Sequence, residues 1–163
     1  VTDRRPFPYR AVFVAAASAL VVAAIGGSLT TIGPWYRGLH KPAWTPPDVA
    51  FGVIWTTIFV FITVSGVTAW RATTSRSTRE WIIGLFALNG FLNILWSLLF
   101  FHLQRPDWGL VEVGPFWLSI AALMVFIWRF SRLGSLLLAP YLVWVSIASL
   151  LNYQIVHLNG PFG

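Results

Sequence analysis

Asn89, Asn93, Trp96 and Phe100 recur at helical spacing within one apolar run, and Tyr141, Trp144, Ala148 and Asn152 recur at i, i+3, i+7 and i+11 within another. At 100° per residue the first four fall within about 60° of arc, so each run presents one face of amides and large rings. Carboxamides both donate and accept hydrogen bonds, while an indole offers flat apolar area and a single N–H donor. Rings from different helices with a few orienting amides are what a pocket for a flat, mostly apolar ligand requires. Trp55, in a further apolar run, adds another such ring. The same residues admit a plainer reading: Asn89, Asn93 and Asn152 bond neighbouring helices, at about 1 kcal/mol each, and the indoles fill core volume.

Other reactive groups are sparse. Glu112 is the one acid inside an apolar run, placed either to bond an indole or amide or to contact a ligand. His40, His102 and His157 raise the idea of a haem iron ligand, but they show no helical i, i+3 or i, i+4 pairing, so an interfacial position is expected and no metal site is assigned. There is no cysteine, hence no disulfide, thiolate ligand or thiol nucleophile. Neither a general acid/base pair nor an activated nucleophile can be assembled, so no catalytic residue is assigned. The net charge of +6 comes from basic residues dispersed between apolar runs, which argues against a nucleic-acid stripe.

The elements that must position these side chains follow from composition. Of 163 residues 57% are hydrophobic and only 10% charged, against about a quarter charged in ordinary soluble domains. Roughly 20 apolar residues cross the hydrocarbon of a bilayer as a helix. Five stretches qualify: about 11–32, 49–70, 81–102, 108–129 and 135–157. The first is longer than a signal-peptide core and is read as a retained span. The fold class expected is an all-α membrane protein, a single domain over 1–163 built as a five-transmembrane-helix bundle. Counting Lys and Arg by side gives eight with the N-terminal tail (Arg4, Arg5 and Arg10 among them) and three opposite. The positive-inside rule then places the N-terminus in the cytoplasm.

The gap 33–48 is the one long connection, and its Pro34, Pro42, Pro46 and Pro47 forbid a continuous helix while stiffening the chain. It is expected to form a structured lid. The third and fourth gaps are short, so the last three spans should pack as antiparallel neighbours. Pro140 and the Gly114-Pro115 pair predict kinks. Trp70, Trp81, Trp108 and Trp128 fit an interfacial belt, whereas Trp55, Trp96, Trp117 and Trp144 fall inside spans and need partners or a cavity. The 1.5 Å rise puts Asn89 about 12 Å and Trp96 about 22 Å into the third span, toward the lid. Ala19, Ala23 and Gly27 on the first span permit close helix contact, and with Gly84 and Ala87 they suggest either a homodimer surface or intramolecular packing.

Several runs also resemble a known family. Trp35-Tyr36-Arg37-Gly38-Leu39-His40-Lys41-Pro42-Ala43-Trp44-Thr45-Pro46-Pro47 followed by Phe51-Gly52-Val53-Ile54-Trp55 is similar to the first loop and second helix of the translocator protein / tryptophan-rich sensory protein family. Leu88-Asn89, Leu92-Asn93, Trp96-Ser97, Phe100-Phe101, Glu112, Pro140 to Trp144 and Leu151-Asn152-Tyr153 continue the resemblance in order. It implies a five-helix bundle in a bacterial membrane that binds tetrapyrroles such as protoporphyrin IX, with no obligatory cofactor and with benzodiazepine-like drugs and sterols as further ligands. Trp55, Asn89 or Asn93, Trp144 and Ala148 match the family's pocket, and Trp35, Tyr36 and Trp44 its lid. The family's cholesterol motif needs a basic residue soon after the tyrosine of the last helix. Tyr153 is followed instead by Gln154, Ile155, Val156 and His157, as in a bacterial-type member. The resemblance implies sensing or transport in the regulation of pigment metabolism, with light- and oxygen-dependent porphyrin degradation as the alternative.

Overall fold

The computed structural model describes residues 9–162; Arg4 and Arg5, counted above toward the charge bias, lie outside the described residues. The described residues form helices and no strand. These are α1 (Tyr9–Leu29), α2 (Pro34–Gly38), α3 (Asp48–Arg71), α4 (Arg76–Ser97) with a π-helical turn Leu98–His102, α5 (Pro106–Trp128), α6 (Arg132–Leu136) and α7 (Ala139–Asn159). Five segments are long and apolar enough to cross a membrane, Tyr9–Leu29, Asp48–Arg71, Arg76–His102, Pro106–Trp128 and Arg132–Asn159. With no water in the hydrocarbon, only backbone bonded within its own segment is tolerated there, which is why every apolar run is helical.

Helix contacts set the order around the bundle. α1 packs on α3 and α4, α5 lies between α4 and α7, and α3 closes the ring against α6 and α7. The last three spans are therefore sequential neighbours, as their short connections require. Capping residues mark the ends: Ser75 accepts from Thr78 N–H to start α4, and Ser131 accepts from Gly134 N–H to start α6. Polar stitches hold α6 in place, with Ser65 donating to the Gly134 carbonyl at 2.6 Å and Ser135 to the Met124 carbonyl at 2.8 Å. A Cβ at Gly134 would stand 3.0 Å from Ser131 Oγ and 3.1 Å from Ile127 Cγ2, so a larger residue would have to shift both side chains.

Three local features differ from the sequence expectation. α1 ends at Leu29 and not near Ile32, because Ser28 and Thr30 turn their hydroxyls back onto the Ile25 and Gly26 carbonyls as the chain leaves the helix. The fifth span is two helices with a break at 137–138; Pro140, lacking an N–H, sits in the first turn of α7 where none is needed. By contrast Pro115 lies within an uninterrupted α5. The third span ends in the π turn, where Leu103 N–H reaches the Leu98 carbonyl at 2.8 Å, a widening that nothing in the apolar pattern announced.

The core lies on the α5 side. Phe116, Ile120, Leu123 and Ile127 of α5 are buried with Ile58, Leu138, Tyr141 and Val145. A second cluster under the lid joins Tyr36, Phe100, Phe101, Leu151 and Ile155. Outward faces carry Phe13, Leu20, Val53, Phe91, Val111 and Leu150, as a surface facing lipid should.

Candidate ligand-binding site

Beneath the lid the helices enclose a cavity of about 250 Å³. Its ring-bearing wall comes from three helices: Phe51, Trp55 and Phe59 of α3, Trp96 of α4 and Trp144 of α7, with Phe101 of the π turn. The rings brace one another and so keep fixed orientations. Phe51 meets Trp144 edge-on at 5.6 Å, Trp55 meets Tyr141 edge-on at 6.1 Å, and Trp96 stacks on Phe100 at 5.0 Å. The opposite wall is α1, which contributes Val22, Ala23, Gly26 and Gly27, with Thr30 just beyond its end. Ala148 and Gly52 leave room between the rings.

The polar groups are few and directional. Asn93 donates to Tyr141 Oη at 3.4 Å, and its Oδ1 stands 3.7 Å from where a Cβ of Gly26 would be, so α1 approaches this amide at a glycine. The indole N–H groups of Trp96 and Trp144 are buried and have no hydrogen-bond partner among the described residues. An unmet buried donor costs about 1–3 kcal/mol; that of Trp96 lies behind the cavity wall beside α5, where a Cβ at Gly109 would stand 3.5 Å from it.

The lid closes this end. Tyr36 of α2 is buried and lines the cavity from above. Lys41 donates to the Tyr36 carbonyl at 2.7 Å and sits 4.4 Å over the Tyr36 ring. Burial, aided by the negative charge of Asp48, pushes the Tyr36 phenol up to about 12. Asn159 at the end of α7 clasps the same loop: its Oδ1 accepts from His40 N–H at 2.7 Å and its Nδ2 donates to the His40 carbonyl at 2.8 Å.

Three comparisons with known proteins bear on this arrangement. The model of the TspO/MBR family matches residues 13–158. The chain belongs to that family. It is 40% identical over 148 residues to the tryptophan-rich protein TspO of Archaeoglobus fulgidus, covering 88% of this chain and 95% of that one. Protein CrtK of Rhodobacter capsulatus is 31% identical over 133 residues, 82% and 83% of the two chains. The human translocator protein is 31% identical over 120 residues, 73% and 71% of the two chains.

In this TspO/MBR chain the residues singled out from sequence do not all meet. Trp55, Asn93, Trp96, Trp144, Ala148 and Tyr36 share the cavity. Asn89 and Tyr141 lie one turn deeper and border a second cavity. Tyr141 donates to Asn89 Oδ1 at 3.1 Å, Asn89 donates to Ser119 Oγ at 2.8 Å, and the Ser119 hydroxyl donates to the Phe116 carbonyl at 2.7 Å. These two residues therefore tie α4, α5 and α7 together. Asn152 lines neither cavity: it donates to the Pro106 carbonyl at 3.0 Å, holding the start of α5, because at this height α5 leans into its place.

The lid residues divide as well. Trp35 packs edge-on against Phe100 at 6.1 Å, outside the cavity wall, and Trp44 is about half exposed. Glu112 is buried, lines neither cavity, and among the described residues its carboxylate bonds no indole or amide. His40, His102 and His157 are exposed, and among the described residues no three His, Cys, Asp or Glu side chains converge. Trp117, a span indole left without a partner in the sequence, donates to Ser146 Oγ at 2.8 Å.

Sequence reasoning missed α1 as a wall. Ala23 and Gly27, read as a close-packing seam, line the upper cavity, and Ala19 lines the lower. The signal was present as residue size; its meaning changes because the facing helices do not fill the space.

Proposed function

We propose that this membrane protein binds a tetrapyrrole of the protoporphyrin IX type in the upper cavity, as a sensor or transporter of that ligand. The observation that carries the reading is the set of braced rings, Trp55, Trp96 and Trp144, around a space whose polar side chains are one amide, Asn93, and the hydroxyls of Thr30, Tyr36 and Ser97. Ring faces supply contact to a flat macrocycle, while Asn93 and Ser97 suit carboxylate or carbonyl edges. The names of the relatives, a tryptophan-rich protein and a translocator protein, agree with such a role.

A cavity of about 250 Å³ lies just below the roughly 300–1,000 Å³ that drug-sized ligands occupy, so a macrocycle requires one wall to yield. α1 is that wall, since Gly26 is its one buried residue. The experiment is a titration of the purified protein with protoporphyrin IX, followed by tryptophan fluorescence quenching. Trp144→Phe and Trp55→Phe should each weaken binding about tenfold, the loss of roughly 1.4 kcal/mol of ring contact. Unchanged affinity in both variants would remove the ligand from this cavity. Product analysis after illumination of the complex in oxygen separates binding or transport, which leave the macrocycle intact, from its degradation.

A further inference from the structure

Below the first cavity, and sharing Val22, Phe59 and Asn93 with it, lies a larger space of about 810 Å³ between α1, α3 and α4. We infer that this lower cavity holds one acyl chain of an anionic bilayer phospholipid, of the phosphatidylglycerol class, which enters from the surrounding lipid beside α1. The inference does not rest on the tetrapyrrole reading.

Its walls are apolar and shaped by size. Ala11, Ala15 and Ala19 of α1 face Ile62 and Gly66 of α3 and Ile82 and Phe86 of α4. The polar groups at its inner end are already engaged, Tyr141 with Asn89 and Asn93, and Asn89 with Ser119. Nothing there calls for a polar partner, so the deep end of the occupant is hydrocarbon. A void left empty would forfeit the dispersion contacts of its lining.

Length and charge fix the rest. From Arg10 to Val22 along α1 is about 18 Å, close to one leaflet of a hydrocarbon core of roughly 30 Å. The inner end narrows where Val22 approaches α4, since a Cβ at Gly90 would stand 3.0 Å from Val22 Cγ2. Among the lining residues Val14, Ile83 and Phe91 are exposed, so the space opens sideways to lipid as well as toward the bundle end. At that end Arg10 is the one charged lining residue, exposed and in no ion pair among the described residues. Among the described residues, Arg10, Arg71, Arg76, Arg79, Arg129 and Arg132 share that end with one acid, Glu80. A headgroup at the mouth is therefore an anion.

The test uses the full chain in phosphatidylcholine nanodiscs containing a small fraction of phosphatidylglycerol with a photoactivatable diazirine at the chain end. Irradiation and peptide mapping should place adducts on Ile82, Asn89 or Tyr141, whose side chains are buried from outer lipid. Unlabelled phosphatidylglycerol should compete and phosphatidylcholine should not. Arg10→Gln should lower these adducts about fivefold, the effect of one basic residue at an anionic surface. Ala15→Phe with Ala19→Phe should abolish them while labelling of outward Leu20 persists. Adducts confined to outward residues in the wild-type protein overturn the inference whether or not the filled variant folds, as does equal competition by phosphatidylcholine. Stronger competition by free palmitate than by phosphatidylglycerol overturns the assignment to a phospholipid.

Discussion

α1 and α5 are of similar length, 21 and 23 residues, and both are apolar enough to cross a membrane, yet they are built into the bundle in opposite ways. α5 buries nine residues, among them Phe116, Ile120, Leu123 and Ile127, and touches α4, α6 and α7. α1 buries Gly26 alone and turns Ala15, Ala19, Ala23 and Gly27 toward two cavities. In lipid there is no hydrophobic force pressing helices together, so association depends on how well side chains interlock. Bulky inward residues make α5 part of a frame; small ones make α1 a wall with space behind it. Apolarity decides that a helix enters the membrane, and residue size decides whether it is rigid there.

The sharpest way to break this comparison is to truncate both helices. Phe116→Ala should lower stability by roughly 3 kcal/mol, the range for a large core ring, whereas Leu20→Ala on the outward face of α1 should be nearly silent. Denaturation in detergent compares the two, and equal losses would refute the division into frame and wall. Next, Asn89→Ala removes the donor to Ser119 Oγ and the acceptor of the Tyr141 hydroxyl and should cost about 1–2 kcal/mol in the same assay. Tetrapyrrole affinity should change little, because Asn89 borders the lower cavity and not the upper.

Two glycines on the α1 seam sharpen the contrast further. A methyl at Gly26 meets Asn93 Oδ1 and Ser97 Oγ at 3.7 and 3.8 Å, ordinary contact, so Gly26→Ala should stiffen α1 and add about 0.5–1 kcal/mol. A methyl at Gly90 meets Val22 Cγ2 at 3.0 Å, so Val22 must give by a few tenths of an ångström and the packing of α1 on α4 loosens. Gly90→Ala should speed amide exchange in α1 and Gly26→Ala should slow it. Matching changes in both variants would contradict the seam.

At the lid, Asn159→Ala removes both bonds to His40 and should speed ligand release about fivefold, the effect of roughly 1 kcal/mol, in stopped-flow quenching. The smallest effect concerns pH. Tyr36 ionises at about 12 when folded against 10.0 ordinarily, so in that window the opened lid binds fewer protons than the closed one. Closure therefore weakens as pH rises from 10 to 12, and Tyr36→Phe should remove that dependence from lid amide exchange.

The spans were legible because each is an unbroken apolar run, a signal carried by every residue in it. The ring wall was legible too, since Trp55, Trp96 and Trp144 must leave lipid or find partners. Asn89 and Tyr141 were harder. They share an arc with Asn93 and Trp144, and angular spacing cannot tell whether an amide at that angle faces a space or a neighbouring helix. One turn of depth separates the two outcomes, and the depth at which helices meet is a property of the whole bundle. Asn152 fails for the same reason, as the position of α5 is not encoded in α7. Glu112 was visible as unusual, but its buried carboxylate has no partner that would explain it.

The widened turn at Leu98–His102 has a consequence for how lengths vary among relatives. It accommodates one residue more than an α turn, with the Leu98 carbonyl bonded five positions ahead, and it lets the consecutive rings Phe100 and Phe101 both face inward. Dropping a single residue there would restore ordinary helical spacing between Trp96 and Pro106 and sacrifice only one ring of the pair. An alignment gap at this spot is thus the deletion a transmembrane bundle can inherit without rebuilding its other crossings.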